Sequence, residues 1–236
     1  MIDYEILLYI SIYTNNFHLL HILSKYFLQF SKTYNSSDYV NRNLWNNYFV
    51  SMIFSIIISY QSISHIYFNN NNNINEYNNK QGYILAHGIS YFIYDLVYNN
   101  ILDKPDKKIF NIHHVIAIIG IGSSLYYKIC CNYIIWFLIV ESSTPFLTIR
   151  WFLLKSKFND NHHLVKLFSF AFFISYTLVR VIQMPIIQFH FIINYNLNNN
   201  TKIFYYIENI LFYTLYTMNL YWYFIIINKA FKIKKD

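Results

Sequence analysis

Apolar residues along this chain gather in long blocks, at about 6–30, 44–67, 82–102, 109–128, 132–154, 164–193 and 203–228. A helix needs about 20 consecutive apolar residues to cross the hydrocarbon of a bilayer, whereas a barrel strand needs only about 10. Blocks of the longer kind predict helices and exclude a barrel. Backbone N–H and C=O groups in lipid must also be satisfied within the protein, which a helix does by itself. The expected fold class is all-α, a polytopic membrane protein of about seven transmembrane helices. The first block is the weakest, because Asn15, Asn16, His18, His21 and Lys25 interrupt it. Asp3 and Glu5 stand where a cleaved signal would carry basic residues, so it reads as a retained helix.

Composition adds to this picture. Only 12% of the 236 residues are charged, against about a quarter in soluble domains. Four Gly and three Pro are too few to punctuate a β-rich fold. The expected organisation is an N-terminal helix and loop over 1–40, a helical membrane domain over 41–229 and a basic tail over 230–236. The tract NNNNNINEYNN at 69–79 reads as a solvated loop. Cys130 and Cys131 are neighbours, which suits two free thiols rather than a disulfide framework.

Charge orients the chain. With a lumenal N-terminus, twelve Lys and Arg fall on the cytosolic side and three on the other. That is a positive-inside bias, so the net charge of +7 implies a face meeting anionic headgroups, not nucleic acid. The C-terminus would be cytosolic. Its tail, Lys232-Ile233-Lys234-Lys235-Asp236, resembles an endoplasmic reticulum retrieval signal and reads equally as a basic anchor. On this topology the sequon Asn199-Asn200-Thr201 is lumenal and Asn35-Ser36-Ser37 cytosolic.

Ionisable groups inside spans cost a few kcal/mol each and tend to face a bundle interior or wet cavity. Here they gather from the third span onward. His87 and Asp95 are eight residues apart, about 80° on a helix, so both can face one interior. His113 and His114 diverge by about 100°; one is expected to face a cavity and the other a neighbouring helix. The fifth span holds Glu141-Ser142-Ser143-Thr144-Pro145 and, further on, Arg150. Pro145 would free the carbonyl of Glu141, and Pro185 that of Val181. Arg180 and Arg150 either pair with buried acids or hold an anionic headgroup; Arg150 alternatively snorkels. Glu208 and Asn219 lie nearly on one face of the last span, with Trp222 close by. No short-range spacing demands a metal, and none is expected.

The stretches GYILAHGISYFIYDL, IHHVIAI, ESSTPFLTIRWFL, VRVIQMP and MNLYW, in this order, resemble the TLC domain. This is the membrane domain shared by translocation-associated proteins, ceramide synthases and other lipid-linked relatives. The similarity spans about residues 40–228 and is greatest to the subgroup with an E-x-S-T-P-F-x-x-x-R-W segment. It implies six helices around a central cavity, plus an extra N-terminal helix. It implies an endoplasmic reticulum protein that binds membrane lipids or fatty acyl chains and takes part in lipid homeostasis. The ligand would be placed by His87, Asp95, Ser142, Thr144, Arg150, Arg180, Asn219 and Trp222. An alternative is ceramide-synthase-like acyl transfer, with His113, His114 and Glu141 catalytic and acyl-CoA as co-substrate but no bound cofactor. Thr144 stands where the ceramide synthases carry a second acid, which favours lipid binding. A third alternative is a cargo or translocon-associated factor.

Overall fold

A computed structural model describes residues 2–68, 77–101, 107–195 and 202–232. Most of the Asn-rich tract, the Asn199 sequon and the last four residues of the tail lie outside these. Helix makes up nearly all of the described chain, and no strand occurs among the described residues. Helix α1 spans Tyr4–Leu28, the short α2 Lys32–Asn35, α3 Tyr39–Phe68, α4 Asn79–Ile101 and α5 Lys107–Tyr127. The fifth predicted block forms α6 (Cys131–Leu138), a 3-10 turn (Ile139–Ser143) and α7 (Thr144–Lys155). The sixth forms α8 (His163–Tyr176), a π-helical stretch (Thr177–Gln183) and α9 (Met184–Asn194). The last is α10, Lys202–Lys232.

Six of these helical segments are long and apolar enough to cross a membrane. The remaining predicted span, α4, is long enough but too polar to qualify, and its position explains why it can be. It packs against α1, α3, α5 and α6, so its polar residues meet protein. Ser90 Oγ donates to the Ile10 carbonyl of α1 (3.0 Å). His21 of α1 bonds the Tyr94 hydroxyl through Nδ1 (2.8 Å) and Asn43 Oδ1 of α3 through Nε2 (3.1 Å). Polar residues that weaken the first block as a membrane span are thus partly α1's docking groups.

Two further contacts hold α1. Lys128 Nζ reaches Asp3 Oδ1 at 2.8 Å, and the Tyr83 hydroxyl donates to Glu5 Oε1 at 2.7 Å. Gly82 permits the close approach: a Cβ there would come within 2.7 Å of Ile6 Cδ1 and closer still to the Tyr77 hydroxyl. The main core, with Phe54, Ile58, Leu85, Tyr94, Leu125 and Ile135 wholly or almost wholly buried, lies around α4. On its other side α5, α6, α9 and α10 enclose a cavity.

Candidate functional site

Both prolines of the fifth and sixth spans distort their helices, and both distortions build the site. Pro145 has no N–H to give the Glu141 carbonyl. The chain tightens instead to a 3-10 turn, and the Thr144 backbone N–H takes that carbonyl. Three residues per turn brings side chains 141 and 144 into line, and Thr144 Oγ1 donates to Glu141 Oε2 (2.9 Å). Pro185 lies just after the π-helical stretch, within which sits the Val181 carbonyl. The Tyr216 hydroxyl of α10 donates to it across 3.2 Å.

Arg180, in the middle of the π-helical stretch, is buried and joins three spans. Its Nε donates to Ser143 Oγ (3.0 Å) and its Nη1 to Asn219 Oδ1 (3.2 Å). Its Nη2 lies 3.4 Å from Glu141 Oε1 and 3.5 Å from Thr144 Oγ1. The Tyr176 hydroxyl completes the cluster by donating to the Asn219 carbonyl at 2.9 Å. Of the two roles open to Arg180 from sequence, the geometry supplies the first, pairing with a buried acid. The ion pair leaves Glu141 electrically compensated.

The histidine pair divides as its 100° separation requires. His114 is buried and turns to α4: its Nδ1 lies 3.3 Å from Asp95 Oδ2 and 3.3 Å from Asn99 Nδ2. Asp95 is held in turn by Asn47 Nδ2 (2.7 Å) and Asn99 Nδ2 (2.9 Å). His113 lines the cavity, packs its ring 5.6 Å from Trp222, and keeps a buried Nδ1 that has no hydrogen-bond partner among the described residues.

The cavity is partly open, and about 840 Å³ of space, open solvent included, lies between its lining residues. At one end stand His113, Glu141 and Asn219; at the other, Glu208, Gln188 and Cys130. Ile116, Ala117, Ile121, Phe137, Leu211 and Leu215 give it an apolar waist. Glu208 and Asn219 are eleven residues apart on α10, so the ends are about 16 Å apart along the helix axis. Cys130 sits in the turn between α5 and α6, where burial, and then the nearby Glu208, push its thiol pKa well above the ordinary range.

The structure therefore brings His113, Glu141 and Asn219 to one cavity end, with Thr144, Arg180 and Trp222 directly behind them. It does not bring the others there. His87 bonds Gln61 Oε1 (2.9 Å) and stacks on Phe17, on the α1 side of α4. Asp95 acts on His114. Ser142 takes no part in the Arg180 cluster; its neighbour Ser143 does. Arg150, midway along α7, donates to Ser169 Oγ (2.8 Å) and lies 3.8 Å from Asp160 of the turn that follows. Gln188, Cys130 and the Asp95 partners Asn47 and Asn99 carried no sequence signal as site residues. Glu208 did, through its spacing from Asn219, but only as an acid for an arginine to pair with.

These features define a class: a multi-pass helical membrane protein whose spans enclose a polar-ended cavity. Residues 43–228 match the TLC domain model, and the chain belongs to that family. It is 29% identical over 211 residues to TLC domain-containing protein 4 A of Dictyostelium discoideum, the alignment covering 83% of this chain and 77% of that protein. Helix α1 precedes the matched region.

Proposed function

We propose that this chain binds a lipid or fatty acyl chain in its cavity and serves lipid homeostasis in the endoplasmic reticulum membrane. The observation that carries the reading is the form of the cavity, an apolar waist between two polar ends. The cluster around Arg180 is fully engaged within the protein, which suits a rigid wall better than a reacting group. Native mass spectrometry of the purified protein tests the reading. Co-purifying lipid is expected, and Ala117→Phe, which fills the waist, should remove it. A protein that emerges without lipid, and binds none when lipid is returned, overturns the proposal. The charge bias supports a lumenal N-terminus and cytosolic C-terminus; glycan on Asn199 but not Asn35 is the expected result, and the reverse refutes it.

A second reading, acyl transfer from acyl-CoA to an amine or hydroxyl, is favoured by one observation, the Nδ1 of His113 at the cavity, which has no partner among the described residues. Histidine is suited to that task by a pKa near neutrality in water. Glu141 would not orient it, being held by Arg180 and Thr144; the acid beside the pair is Asp95, through His114. Purified protein that turns over acyl-CoA, and loses this with His113→Ala, would establish the enzyme. Turnover that survives the substitution would remove His113 from that role.

A further inference from the structure

The two polar ends of the cavity differ in one respect. Glu141 has Arg180 beside it, whereas no ion pair reaches Glu208 among the described residues. Glu208 is 9% exposed and lines the cavity. Its Oε1 accepts from the Ser123 hydroxyl of α5; its Oε2 accepts no hydrogen bond among the described residues. Gly120, also of the lining, leaves open the space in front of that oxygen: a Cβ there would lie 3.6 Å from Oε2 and 3.7 Å from Leu211 Cδ1. Gln188 has the same character. Its amide Nε2 donates to Asn209 Oδ1 (2.9 Å), and its carbonyl oxygen accepts nothing among the described residues. This end thus offers the cavity two acceptor oxygens that no donor among the described residues meets. We infer that the Glu208 end is a second polar subsite that receives a hydrogen-bond-donating end group, a hydroxyl or an ammonium, of an amphiphile whose chain lies along the apolar waist. The inference rests on the lipid-binding reading and adds a ligand class to it: single-chain amphiphiles with a donor end group are preferred over those ending in a carboxylate, which Glu208 would repel.

The test uses the full chain in nanodiscs with three probes of equal chain length, dodecylamine, dodecanol and dodecanoic acid. Affinities are read by native mass spectrometry or calorimetry. The wild type should bind the amine and the alcohol more tightly than the acid. Glu208→Leu should weaken the amine and the alcohol about tenfold, the effect of one lost hydrogen bond to a charged group, and leave the acid no weaker. Glu208→Gln separates the sources: loss of the amine with retention of the alcohol assigns the ammonium contact to the carboxylate charge, and loss of both assigns a hydrogen bond that only a carboxylate makes. Gly120→Val keeps the carboxyl but fills the space before it, so it should reproduce the Glu208→Leu ranking even where that variant folds poorly. If all three probes bind the wild type and all three variants alike, the subsite is refuted while the cavity reading stands. If the wild type retains neither any probe nor any native lipid, both fall.

Discussion

Replacing Arg180 by Met should destabilise the protein severely, and removing its acid as well should restore much of the loss. Both side chains of the Glu141–Arg180 pair are 9% exposed, with the charged atoms 3.4 Å apart. Removing the guanidinium strands a buried carboxylate and also takes donors from Ser143, Asn219 and Thr144. Breaking a buried ion pair from one side costs about 3–5 kcal/mol, whereas exchanging both partners for apolar residues of similar volume is often neutral or stabilising. In a chain of this size the single substitution should lower Tm by about 6–20 °C. Glu141→Leu should behave similarly, and the double variant Arg180→Met/Glu141→Leu should lose less than either alone. Thermal unfolding in detergent, read as a double-mutant cycle, measures this. Two results would refute the argument: an Arg180→Met variant as stable as the wild type, or a double variant whose loss equals the two single losses added. Either would mean that the guanidinium is held for something other than Glu141, such as a headgroup.

Tyr216→Phe removes the donor to the Val181 carbonyl and should cost about 1–3 kcal/mol. The same unfolding assay measures this, and an unchanged Tm would show that the bond does not hold α10 to the sixth span. Gly82→Val should crowd the α1–α4 contact, because even a Cβ meets the end of the buried Ile6 side chain at 2.7 Å and makes it move. Overpacking of this kind costs about 1–3 kcal/mol, and an unchanged Tm would show that α1 is not seated there.

The spans could be read from the chain because the bilayer imposes a length on apolar runs, and each predicted block matches a helical segment to within a few residues. The division of the His113–His114 pair was legible for a similar reason, since it follows from the helical angle alone. What escaped were choices that depend on local departures from that angle. Whether Ser142 or Ser143 meets Arg180 turns on a 3-10 segment whose phase differs from an α-helix, and the π-helical stretch moves Arg180 in the same way. Partner choice across helices was equally hidden. Asp95, Glu141 and Glu208 are alike as buried acids in the sequence; only packing assigns the first to His114, the second to Arg180 and the third to no cation among the described residues. The stacking of His87 on Phe17 was masked by composition, since 22% of residues are aromatic and most such rings carry no message.

Helix α4 has a consequence for how the protein is made. Gln81, His87, Ser90, Asp95 and Asn99 are all buried along it. Presented singly to lipid, such groups resist partitioning by up to a few kcal/mol each, so this segment is a poor substrate for insertion by itself. Its partners lie on both sides of it in the chain: α1 and α3 are synthesised earlier, α5 and α6 later. Biogenesis must therefore keep the earlier helices close at hand until α4 emerges and deliver them to the bilayer as a group. In that scheme α1, outside the family domain, works as a built-in escort for the least lipid-soluble span.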